Sequence, residues 1–88
     1  MTLTFPNRSR SFDEARRCVR FVGYDGMFEV QYLVDSTALR VSPSAATEAS
    51  CLAAFDAART AIQDAAARKY EGRRQVPYVL TASDMPGH

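Results

Sequence analysis

Arg17-Cys18-Val19-Arg20-Phe21-Val22-Gly23-Tyr24, then Asp25-Gly26, then Met27-Phe28-Glu29-Val30-Gln31-Tyr32-Leu33-Val34: the reading of this stretch decides the fold. Two runs rich in β-branched and aromatic residues flank a dipeptide that tolerates the positive φ values of a type I′ turn, whose twist matches paired strands. With Asp25-Gly26 as the two-residue loop, Tyr24 stands opposite Met27, Phe21 opposite Val30 and Val19 opposite Tyr32, and these pairs are assigned to one apolar face. Arg20 with Gln31 and Val22 with Glu29 make the other. A slip of one residue would invert one strand and bury Arg20, so burial specifies the register. A β-hairpin is expected over about residues 17–34.

Working towards the C-terminus, Asp35-Ser36 breaks the second strand, and Ser36 can cap a short turn over Thr37-Ala38-Leu39-Arg40. Ser42 ahead of Pro43, or Ser44, can start the next element. That element is expected to be one long helix over about residues 45–71, with Gly72 just past its end as the left-handed residue that a helix terminus commonly needs. Alanine dominates it and favours helix. Leu52, Phe55 and Ile62 fall on one face with Ala58, Ala65 and Ala66, while Asp56, Arg59, Gln63 and Asp64 lie elsewhere. Such a helix is marginal in water alone, and the apolar face of the hairpin is its natural partner. Gln75 to Thr81 reads as a third strand, with Pro77 demanding an edge position. Residues 82–88, with Pro86-Gly87, read as a flexible tail.

Towards the N-terminus, residues 2–5 alternate weakly and stop at Pro6, which suits the end of an edge strand. Asn7 to Ser11 reads as a polar loop, and Asp13 can cap a single turn over Glu14-Ala15-Arg16. The fold expected is α+β, one small domain over residues 1–88: an antiparallel sheet built on the hairpin, with a C-terminal edge strand, packed against the long helix.

The order Leu3-x-Phe5-Pro6, Phe12-Asp13, Val19-x-Phe21, a turn, Glu29-Val30, Ala38-Leu39, then Leu52-x-x-Phe55-x-x-x-Arg59-x-x-Ile62-x-x-x-Ala66 resembles the small bacterial family called domain of unknown function 1488. The resemblance runs from Leu3 to about Leu80. It implies a hairpin-based sheet covered by helix and a cytoplasmic, bacterial setting. It implies no activity and carries over no functional residue.

Composition narrows the chemistry. The formal net charge is +1, which neither demands nor excludes a polyanionic partner. No apolar run is long enough for a membrane span. The first residues carry no basic segment followed by an apolar core, so a cytoplasmic location is expected. Cys18 and Cys51 form no metal-type or redox-type pair, and they read as small, partly buried apolar residues. The single histidine is His88, the last residue, where no general base can be held against a substrate. Neither cysteine has a positioned histidine. Asp56 and Asp64 stand about 12 Å apart along a helix, too far for one site. No catalytic residue, cofactor site or metal site is assigned, and the chain is expected not to be an enzyme.

Basic residues form two clusters: Arg8, Arg10, Arg16, Arg17 and Arg20, and Arg68, Lys69, Arg73 and Arg74. Arginine suits bidentate phosphate contact, so the clusters could grip a nucleic-acid backbone. Equally, Arg68 and Lys69 can offset the dipole in a last helical turn, the others being solvated surface. No aromatic RNA-binding platform accompanies them. The hairpin's second face mixes Cys18, Val22 and Leu33 with Arg20, Glu29 and Gln31, which suits cover by a second copy or a protein partner. A non-catalytic protein-interaction module, self-associating, is the first expectation. A weak nucleic-acid-binding accessory protein is the alternative.

Overall fold

The hairpin stands at the centre of the sheet. The computed structural model describes residues 3–6, 9–72 and 77–85. Strands β1 (Leu3–Thr4), β2 (Arg10–Asp13), β3 (Cys18–Asp25) and β4 (Phe28–Asp35) come first. Helices α1 (Glu48–Ala57) and α2 (Arg59–Lys69) follow, and strand β5 (Tyr78–Leu80) comes last.

The hairpin turn falls one residue later than the sequence suggests. Asp25 pairs with Phe28, so the loop is Gly26-Met27, and Gly26 alone of the two takes positive φ (62°). That is the requirement of a II′ turn rather than a I′ turn. Moving the turn by one residue moves every partner by two: Phe21 faces Tyr32 and Val19 faces Val34. Because side chains alternate with period two, the buried faces survive that shift. Val19, Phe21, Val30, Tyr32 and Val34 are all buried on the helix side. Tyr24, expected with them, belongs by alternation to the other face, opposite Glu29, and Met27 lies in the turn.

Further expectations are corrected. The segment read as loop and lead-in contains β2, which pairs with β3 from Arg10 opposite Phe21 to Asp13 opposite Cys18. Asp13 still caps the turn that follows, its carboxylate accepting the Arg16 N–H at 3.1 Å. The sheet is mixed rather than antiparallel, because β5 runs parallel to β4, with Tyr32 opposite Tyr78 and Val34 opposite Leu80. A strand that returns through a helical crossover arrives at the same end from which its partner started, and parallel pairing follows. Pro77 precedes β5, which lies at the sheet edge.

The single long helix is two. Thr47 is the N-cap of α1, its hydroxyl accepting the Ser50 N–H at 3.1 Å while Ser50 Oγ accepts the Thr47 N–H at 3.0 Å. This reciprocal pair starts the helix later than Ser42 or Ser44 would, and Pro43–Ala45 forms a short 3-10 turn ahead of it. At Ala58 the backbone leaves helical geometry (φ −110°, ψ 17°), its N–H shared between the carbonyls of Ala54 and Phe55. No proline or glycine stands there. The cause lies in what each half covers: α1 packs on β2 and β3, and α2 on β5. A twisted sheet presents different directions to its two ends, and the bend lets both halves lie on it. Helix α2 ends on an extended Tyr70, and Gly72, two residues on, takes positive φ (85°) in the connection rather than capping the helix.

The core is aromatic. Phe21 stacks on Tyr32, and Tyr32 on Tyr78, with ring centroids 5.2 and 5.4 Å apart, and Phe55 of α1 tilts against Phe21 at 5.2 Å. Tyr32 is fully buried, and its hydroxyl donates to the Ala66 carbonyl at 2.9 Å. Gly23 sits on this face for a steric reason. A Cβ there would lie 2.7 Å from the Phe5 ring, which occupies the space the missing side chain leaves. Of the residues read as tail, Ala82–Asp84 form a 3-10 turn held by Asp84, and residues 86–88 lie outside those described.

Candidate functional site

The arginine clusters carry the charge-based binding chemistry that the sequence singles out. Arg8, Arg73 and Arg74 lie outside the described residues. Arg10, on β2, reaches across the helix side and forms a two-pronged pair with Asp56 of α1, at 3.0 and 2.7 Å. Asp56 also accepts from Arg59 at 2.9 Å. The Arg59 guanidinium lies over the Phe55 ring, 4.8 Å from its centroid. Arg10, Asp56 and Arg59 thus tie the sheet to the helices on both sides of the Ala58 bend. The Arg10 hydrogen bond holds the Asp56 carboxyl below its usual range and the Arg10 guanidinium above its own.

Other cations are similarly engaged. Arg17 donates to the Ala46 carbonyl at 2.8 Å, docking the β2–β3 turn against the start of α1. Arg20 pairs with Asp13 across neighbouring strands at 3.0 Å. Lys69, in the last turn of α2, reaches Asp84 at 3.0 Å. The Thr81 N–H, with help from Lys69, keeps the Asp84 carboxyl below its usual range. Arg16 and Arg68 are exposed at opposite ends of the molecule. Arg16 lies beside the start of β3, while Arg68 precedes Tyr70, whose hydroxyl donates to Asp25 at the end of β3 at 2.6 Å. An eight-residue strand separates those ends by roughly 26 Å. Among the described residues, the two clusters therefore do not merge into one basic surface.

The sequence gives no sign that Asp56 and Arg59 belong to a network with Arg10, because the partners are 46 positions apart. Its one local hint is the spacing of Asp56 and Arg59, neighbours on a helix surface.

Both cysteines are buried, unpaired thiols. Burial first, then the nearby carboxylates of Asp35 and Asp13, pushes the Cys18 thiol up, away from the thiolate a nucleophile needs. Among the described residues no three histidine, cysteine, aspartate or glutamate side chains gather as metal ligands. No described helix is long and apolar enough to cross a membrane.

Among the described residues, two hollows stand out. A groove of about 420 Å³ beside the start of α1 is lined by Phe12, Glu14, Arg17, Ala46, Thr47 and Glu48. Two carboxylates there face one guanidinium, which is the wrong balance for an anion. A smaller, mainly apolar pocket of about 190 Å³ opens at the helix bend, lined by Ala38, Leu39, Arg40, Ala58, Ala61 and Met85. The largest exposed apolar side chains among the described residues are Met27 (94% exposed), Phe28 (56%) and Val79 (43%).

The chain belongs to the family of proteins of unknown function DUF1488, whose model matches residues 3–80. No curated protein and no solved structure matches it.

Proposed function

We propose that this chain is a non-catalytic protein-interaction module that associates with a second copy of itself. The observation that carries the reading is the one-sided cover of the sheet. Both helices pack on the face bearing Phe21, Tyr32 and Tyr78. The other face holds Cys18 and Leu33, which are buried, Val22, which is half-buried, and Val79, which is exposed. Val79 stands in the edge strand of that face, 43% exposed. An apolar side chain exposed in an edge strand is a surface that proteins commonly bury on association. The nucleic-acid alternative draws less support, because Arg10, Arg17, Arg20 and Lys69 are held by partners within the chain.

The test is size-exclusion chromatography with light scattering, monitored at 260 and 280 nm. A dimer mass without excess 260 nm absorbance, lowered to a monomer mass by Val79→Lys, is the expected result. A monomer at every concentration overturns the reading. Excess absorbance at 260 nm that disappears in high salt would move the function to the arginines, since phosphate contacts weaken steeply with salt.

A further inference from the structure

Burial changes abruptly where β5 ends. Leu80 is fully buried, whereas Thr81, Ala82, Asp84 and Met85 are half-buried and Ser83 is exposed. Local hydrogen bonds close this segment into a turn. The Asp84 N–H donates to the Thr81 carbonyl at 3.0 Å, and the Met85 N–H to the Ala82 carbonyl at 3.2 Å. The Thr81 N–H donates to the Asp84 carboxylate at 2.9 Å. Lys69, in the last turn of α2, donates to the same carboxylate oxygen at 3.0 Å and so ties the turn to the helix. Met85 ties it to the core, against which it packs, and lines the apolar pocket at the helix bend together with Leu39, Ala58 and Ala61.

Both ties are easily undone. The Lys69–Asp84 pair is part-exposed on both sides, and such pairs hold weakly. A half-buried methionine is unbranched and flexible, and it leaves a site without dragging the backbone around it. Detaching residues 81–85 breaks no rung of the sheet, since the pairing of β5 with β4 ends at Leu80. Few buried contacts and part-exposed hydrogen bonds mark a segment that opens by itself. We propose that residues 81–85 are a strap across the helix bend that opens and closes as one unit while the sheet and both helices stay folded, with Lys69–Asp84 as its latch and Met85 as its lid. Opening removes one wall of the pocket, and Leu39, Ala58 and Ala61 then face water more fully. The apolar surface at the bend is therefore small with the strap closed and larger with it open. This device does not depend on self-association.

Native-state hydrogen exchange of the full chain, read by NMR at rising but sub-denaturing guanidinium, tests this on the native protein, Asp84→Ala and Lys69→Met. In the native chain the Asp84 and Met85 amides are expected to be protected about a hundredfold less than the amides of β3 and β4. Their exchange is expected to stay flat as denaturant rises, because a small opening exposes little surface, while the strand amides speed up. Asp84→Ala, which removes the latch and the Thr81 bond together, is expected to speed exchange at Met85 about tenfold, and Lys69→Met about threefold. A dye that fluoresces on apolar surfaces is expected to bind both variants more than the native chain. Exchange at Met85 that follows the strands in rate and denaturant response would mean that the segment leaves only with global unfolding, and it overturns the strap. A complete lack of protection at Asp84 and Met85 overturns it from the other side, since nothing is then closed. Exchange at Met85 unmoved by both variants overturns the latch. Faster exchange without any gain in dye binding overturns the lid.

Discussion

Neighbouring residues of the same two strands meet opposite fates on the two faces of the β3–β4 hairpin. On the helix side, Val19, Phe21, Val30, Tyr32 and Val34 are closed off by aromatic rings and by α1 and α2. On the other side, Arg20, Glu29 and Gln31 meet water, while Leu33 is buried to 3% exposure with no described helix above it. Leu33 is flanked across the strands by Arg20 and Val79, and the apolar stem of an arginine is able to cover such a neighbour. One face gains its burial from a second layer of helices, while on the other Cys18 and Leu33 are buried among exposed and half-buried strand neighbours. A layer stops side chains from relaxing into a gap, whereas a shaded position can be refilled by its neighbours and by water.

The sharpest test of that difference is Phe55→Ala. Phe55 of α1 is fully buried against Phe21, and its loss is expected to cost about 3–5 kcal/mol in denaturant unfolding. Leu33→Ala is expected near the low end of its class, about 2 kcal/mol. An equal cost for the two would erase the distinction between the faces. Next comes Tyr32→Phe, which removes one of the two donors to the Ala66 carbonyl, the Tyr70 N–H remaining at 3.1 Å, and should cost about 1 kcal/mol. This site also carries a pH signature. Burial raises the Tyr32 hydroxyl pKa, so its proton stabilises the fold fully below the unfolded value of about 10. That contribution is lost as pH rises beyond it, and unfolding measured upward from pH 9 should fall less steeply in Tyr32→Phe than in the native chain.

The smallest effect belongs to Asp56→Asn, at the exposed link between sheet and helix. The lowered carboxyl stabilises the fold above its unfolded pKa, and that contribution is lost as pH falls through about 4 and below. A thermal melt should show a modest drop in midpoint at neutral pH that vanishes in strong acid. A drop as large at low pH would mean that Asp56 works through packing rather than charge.

Much of this architecture can be read from local pattern. The hairpin, the edge position of the strand after Pro77 and the apolar stripe through Leu52, Phe55 and Ile62 all follow from periodicity and turn chemistry. What escapes depends on distant partners. Cys51, Phe55, Ile62 and Ala66 keep one helical period straight through Ala58, so a bend imposed by the twisted sheet leaves no trace in the spacing. Strand β2 is four residues with one large apolar side chain, Phe12, and only its pairing with β3 makes it a strand. The arginines are legible as residues but not as half of a pair, because Arg10 finds Asp56, and Arg17 finds Ala46, only after the chain has folded.

The parallel pairing of β5 has a kinetic meaning. Hairpin partners such as Asp25 and Phe28 are separated by a two-residue loop, and they meet through local closure within microseconds. Tyr32 and Tyr78 are 46 positions apart, and their rings stack only once the whole helical crossover has been gathered in. Loop entropy must be spent on that closure before any of its contacts forms. We therefore expect the return of the last strand, the three residues of β5, rather than hairpin closure to limit the rate of folding.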